Sequence, residues 1–142
     1  MITLSPGEVK QVSVTLVPLE PVTISWYGFK AGYANPAGQR WGPYAIPPAV
    51  SCPLGYLGAG VCYVVVNIAA EITVEICLID PDGLERGCVE ITQVTTPDAY
   101  APYIQSWVSL DKVGLWHLWT KAYRKAGASN VIEATTPAIQ CE

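Results

Sequence analysis

Charge is what this chain has least of. Of its 142 residues, 8 are Lys or Arg and 12 are Asp or Glu, 14% in all, against about 25% in an average soluble domain. It also holds a single histidine, a single methionine and a single phenylalanine. With a net charge of −4 and no basic stripe, it offers nothing to a nucleic acid. No apolar run reaches the roughly 18 residues of a membrane helix, and the longest, VCYVVVNIAA from Val61, is broken by Asn67. No membrane span is expected. The opening MITLSPGEVK lacks the charged start and apolar stretch of a secretory signal.

Signatures of catalysis are missing as well. His117 falls on the outward side of its alternation, between Trp116 and Leu118, and there is no G-x-S-x-G. Ser109-Leu-Asp-Lys112 has S-x-x-K spacing, but that motif works from a helix, and here it ends a strand. Asp80, Asp82 and Glu85 lack the spacing of a calcium loop and read as turn residues. Five cysteines without C-x-x-C spacing, beside one histidine, argue against zinc. No enzyme activity, no cofactor and no metal are therefore expected.

What is present is an apolar fraction of 51%, arranged with period two. Val12, Val14 and Leu16 share one face, and Val22, Ile24 and Trp26 another. The stretch from Val61 to Ile68 is apolar on both faces, as a central strand is. In EITVEICLI, Ile72, Val74, Ile76 and Leu78 lie together, opposite Thr73, Glu75 and Cys77. After DPDG the chain returns with Val89 and Ile91 inward, and further strands fall near 103–110, 115–124 and 130–135. Turns at SPGE, PLEP, DPDG, TTPD, DKVG and KAGASN recur at the spacing of an all-β sandwich or barrel. The expectation is a single β-sandwich domain over residues 1–142, with seven to nine strands and no helix.

The segment DKVGLWHLWTKAYRKAGASNV, residues 111–131, resembles the F–G hairpin of immunoglobulin-like domains. The family's run of acid, small residue, aromatic and inward residue matches Asp111, Gly114, Trp116 and Leu118. LSPGEVKQVSVTLVP resembles the first strand of such modules. Leu118 stands where antibody domains have their second core cysteine, Trp116 where they have the corner tyrosine, and the acid lies one residue further away. The resemblance implies an Ig-like, Greek-key sandwich and no particular activity.

Cys77 and Cys88 flank the DPDG hairpin. A type I turn with Gly83 left-handed, followed by a bulge at Gly87, sets them opposite each other as a disulfide. The same register sets Glu75 against Glu90, an unfavourable pair. A Cys52–Cys62 disulfide closing a small loop is the second candidate, and reduced, buried thiols are the alternative for both pairs. Cys141 is left free or bridges to another subunit. Disulfides point to an oxidising compartment or a hyperthermophile.

Residues 28–60 contain the least regular part of the chain, rich in glycine, proline and aromatics, with Lys30 and Arg40 their two charges. It is expected to be a long contact loop. Flat, low-entropy aromatics suit interfaces, so Tyr33, Arg40, Trp41, Tyr44 and Tyr56 are the candidate interaction residues. The alternative is that the loop covers its own sheet. Residues 71–98 carry a net −6 and residues 111–125 a net +3, which suggests head-to-tail docking of copies. The function expected is that of a non-enzymatic structural subunit, a virion coat or appendage protein or another extracellular assembly module. Its partners would be itself or other structural subunits. A carbohydrate-binding or adhesion module, with glycans as partners, is the alternative.

Overall fold

The computed structural model describes residues 21–35, 38–41 and 50–142, with Trp41 as backbone alone. The strand expected over Val12–Leu16 and the interaction residue Tyr44 lie outside the described residues. So does the Trp41 side chain.

Ten strands are described: β1 (Ile24–Asn35), β2 (Gly38–Trp41), β3 (Val50–Cys52), β4 (Leu57–Val66), β5 (Ala70–Ile79), β6 (Glu85–Thr95), β7 (Ala101–Ile104), β8 (Val108–Ser109), β9 (Gly114–Tyr123) and β10 (Ile132–Cys141). The first sheet runs β2-β1-β4-β7, with β8 also on β4, and the second runs β3-β10-β9-β5-β6. All pairings are antiparallel except β3 on β10. The two sheets pack face to face as a β-sandwich. The short strands β2, β3 and β8 take the number above the seven to nine expected.

The inter-sheet core follows the alternation closely. Ile72, Val74, Ile76 and Leu78 of β5 are fully buried, as are Trp116 and Leu118 of β9. Cys62 and Val64 of the central β4 meet them, with Ile24 and Phe29 of β1. Burying each large apolar side chain contributes about 1.5–3 kcal/mol. Glycines in β4 let the sheets approach. A Cβ on Gly60 would lie 2.5 Å from Leu118 Cδ1, and one on Gly58 would lie 2.8 Å from Leu110 Cδ2.

The expected contact loop is a strand over much of its length. β1 continues to Asn35 and pairs antiparallel with β2, with Tyr33 opposite Arg40. Glycine hides this from an alternation count, because Gly32, Gly58 and Gly60 carry no side chain to mark a face. Yet Gly32 pairs with Ala59, and Ala31 with Gly60. The loop assigned to 28–60 is therefore corrected to β1, β2, β3 and the start of β4. Residues 42–49 lie outside the described residues.

Candidate functional site

Register sorts the first sheet's side chains into inward and outward sets. Since Gly60 faces the core, Ala59, Val61 and Tyr63 of β4 face outward, as do Lys30 of β1 and Ile104 of β7, which pair with Val61. A bulge between Trp26 and Gly28 adds Tyr27 to this face. There the Tyr27 and Tyr100 rings stack, with centroids 4.2 Å apart and planes 15° apart. Tyr63 meets the same Tyr100 ring edge-on at 5.4 Å. Burial, with the neighbouring Tyr100 second, holds the Tyr63 hydroxyl above its ordinary pKa. Ala59 and Val61 are buried at the middle of this face, while Tyr27, Leu57, Tyr100 and Ile104 are 44–49% exposed. Lys30 and Arg40 are the charged residues in the described strands of this sheet.

The sequence reading named none of Tyr27, Tyr63 and Tyr100. One signal was available, since Gly28 inside a strand pattern marks a bulge that re-aims its neighbour. Nothing local indicated that Tyr100, in the turn after β6, stacks on Tyr27.

Three of the five expected interaction residues do come together. Tyr33 is half-buried, pairs with the exposed Arg40 in register, and its ring lies 5.6 Å from that of Tyr56. Beside them is a depression of about 360 Å3 lined by Ala34, Asn35, Gly55, Tyr56 and Leu57. This cluster sits where the β1–β2 hairpin meets the turn between β3 and β4.

The outer face of the second sheet is chemically different. Cys77 and Cys88 form a disulfide with Cα atoms 4.2 Å apart. The hairpin that brings them together has the expected geometry. Gly83 has φ 88° and Gly87 φ 62°, and the register breaks between Ile76 and Leu78. Glu75 does oppose Glu90, and each carboxylate has a donor beside it. Tyr123 donates its hydroxyl to Glu75 at 2.8 Å, and Lys125 donates to Glu90 at 2.6 Å. That bond to Glu75 is the main reason the Tyr123 hydroxyl titrates above its ordinary value. Trp119, level with Cys77, donates its indole N–H to Glu133 at 2.7 Å. His117 lies on this same face, opposite Pro137 and Ile79.

The basic and acidic segments meet within the molecule, where part of their opposite charge is paired. β9 lies beside β5 in one sheet. At one end of the sandwich Asp80 is buried in the DPDG turn, where its Oδ1 accepts the backbone N–H groups of Asp82 and Leu84. Its Oδ2 accepts from Lys112 at 2.9 Å and Arg86 at 3.3 Å. Lys112 also reaches Asp82 at 2.8 Å. Burial pushes the Asp80 carboxyl upward, but the Leu84 N–H, the Lys112 ammonium and the Asp82 N–H outweigh it and hold the carboxyl at about 2. Arg86 forks onto Asp111 at 3.0 and 2.9 Å and lies over the Trp116 ring, 5.4 Å from its centre. Trp116 in turn donates its indole N–H to the Lys112 carbonyl at 3.0 Å.

The Cys52–Cys62 disulfide does not form. Both are free, buried thiols, as is Cys141. Cys52 ends β3 at the edge of the second sheet, whereas Cys62 lies five residues into β4 of the first sheet. Among the described residues, Cys77, Glu85 and Cys88 are the only group that brings three possible metal-ligand atoms together. Two of its sulfurs are already bonded to each other. No described helix is long and apolar enough to cross a membrane.

Comparison of the chain with protein-family models and with curated proteins finds no match.

Proposed function

We propose that this chain is a non-enzymatic structural subunit of a virion or other extracellular assembly, packing through the outer face of its first sheet against further copies of itself. One observation carries the reading. That face sets Tyr27, Leu57, Tyr100 and Ile104, each 44–49% exposed, around a buried apolar middle, with Lys30 its charged residue. Interface centres are depleted in charge and enriched in tyrosine in the same way, and a lone domain rarely leaves a large apolar patch in water. The Cys77–Cys88 disulfide fits an oxidising location. The Trp116–Lys112 bond supports an Ig-like sandwich. It reaches back to the backbone from two residues before an inward core position, as a tyrosine corner does.

Sedimentation velocity across a concentration series tests the reading. Wild-type protein gains mass as concentration rises, while Ile104→Lys stays monomeric with an unchanged melting temperature. A wild-type chain that remains a monomer throughout would end the proposal.

A second reading, a carbohydrate-binding or adhesion module, is favoured by the depression beside Tyr33, Tyr56 and Arg40. On a glycan array, Tyr56→Ala would abolish a sugar signal given by the wild type and leave self-association intact. Absence of any wild-type signal would remove this reading.

A further inference from the structure

Cys52 and Cys141 are brought together by the parallel pairing of β3 with β10. β3 lies on β10 with Ile139 opposite Val50, Gln140 opposite Ser51, and Cys141 opposite Cys52. Strands paired in a sheet run about 4.8 Å apart, within the roughly 4.4–6.8 Å of Cα separation that a disulfide needs. Both cysteines sit on the inner side of the pair, 2% and 0% exposed, and both belong to the inter-sheet core. Hydrogen bonds from Glu142 N to the Cys52 carbonyl and from Leu54 N to the Glu142 carbonyl, each 3.0 Å, hold the two chain ends in this register. The Cys52 thiol donates to the Pro53 carbonyl at 3.3 Å, and the Cys141 thiol to the Leu110 carbonyl at 4.0 Å. Among the described residues, neither sulfur has a cationic partner.

We infer that Cys52 and Cys141 form a second disulfide, tying the edge strand β3 to the last residues of β10. The reaction needs an oxidant, and a low-molecular-weight disulfide such as oxidised glutathione suffices. A Cys141 thiolate attacks one glutathione sulfur and expels glutathione thiolate, leaving a mixed disulfide. The Cys52 thiolate then attacks Cys141 Sγ and expels the second glutathione. Two cysteine protons and two electrons leave the protein, and two glutathione thiols result. Burial first, and the nearby Cys141 second, lift the Cys52 thiol to about 11, and burial raises Cys141 as well. Few thiolates therefore exist in the closed fold, and exchange takes place while β3 and the end of β10 are open, during folding or fraying. Cys62 stays out of this chemistry. It lies mid-strand in β4 of the other sheet, fully buried and paired with Phe29.

The bond closes a long loop between the third strand and the last. It also anchors the turn that carries Leu54 and Tyr56, so the Tyr33–Tyr56 cluster keeps its shape when β3 would otherwise peel away. This inference stands independently of the proposed assembly role.

The test is to refold the denatured, reduced chain in a mixture of reduced and oxidised glutathione, then denature it again, alkylate with iodoacetamide and map peptides by mass. One alkylated residue, Cys62, together with a linked Cys52–Cys141 peptide, is the expected result. Cys141→Ser, treated alike, leaves Cys52 without its partner and yields no linked Cys52 peptide. Three alkylated cysteines in the wild type would overturn the inference, as would a Cys141 peptide linked to Cys62 or to a second chain.

Discussion

Lys30 and Arg40 are the charges in the described strands of the first sheet, whereas those of the second hold seven, Glu71, Glu75, Glu85, Arg86, Glu90, Lys121 and Glu133. The sheets share one core and are finished differently outside. The first relies on close approach, with Gly58 and Gly60 of β4 letting Leu110, Leu118 and Ile139 pack against its backbone. The second relies on polar partners and a covalent bond, with Glu75, Glu90 and Glu133 each matched by a donor beside the Cys77–Cys88 bridge. A face covered with matched charges is at ease in water. A tyrosine and aliphatic face gains by being covered, which is why the contact surface is assigned to the first sheet.

The difference can be broken at three points. The largest effect is expected where the first sheet depends on having no side chain. Gly60→Val drives its Cβ into the fully buried Leu118, and overpacking of this kind costs about 3 kcal/mol. Chemical denaturation would show the midpoint fall, and Ile104→Lys, half-exposed on the outer face of the same sheet, would leave it nearly unchanged. Next comes the second sheet's staple. Cys88→Ser opens an 11-residue separation, and chain-entropy reasoning sets the loss at about 2–3 kcal/mol. Thermal unfolding of the variant should match that of wild type when both are reduced. Equal melting of oxidised wild type and variant would show that the bridge constrains nothing.

The third effect is read from the acid limb of stability against pH. The Asp80 carboxyl is held at about 2 in the folded chain, against an ordinary 3.8. Its contribution is complete above the unfolded value and is lost as pH falls from about 4 through 2, because the unfolded chain takes up the proton first. Asp80→Asn should flatten the decline in stability over that interval. An unaltered acid slope would mean that the turn's carboxylate is not the group that titrates.

Legibility from sequence followed distance along the chain. The β5–β6 hairpin could be read in detail, down to the left-handed Gly83, the Gly87 bulge, the Cys77–Cys88 bridge and the Glu75–Glu90 clash, because an 11-residue unit contains its own turn chemistry. The core faces of β5 and β9 were legible from period two alone. What could not be read joins residues far apart. Lys125 on Glu90, Arg86 on Asp111 and Tyr27 on Tyr100 depend on which strands become neighbours, and so does the partial pairing of two segments of opposite charge that the sheet sets side by side. The glycine-rich stretch failed differently. Alternation is visible only through side chains, and β1 and β4 pair where those side chains are smallest. Tyr33, Arg40 and Tyr56 were named as contact residues from composition and do converge, but the most exposed stacked aromatics lie elsewhere.

The assignment of the two faces can be read directly by tyrosine footprinting. Nitration with tetranitromethane, mapped by peptide mass at low and high protein concentration, compares Tyr27 and Tyr100 on the first sheet with Tyr123 on the second. If the first face joins copies of the chain, Tyr27 and Tyr100 lose reactivity as concentration rises while Tyr123 keeps its own. Equal labelling of Tyr27 and Tyr100 at both concentrations, or protection confined to Tyr123, would contradict it.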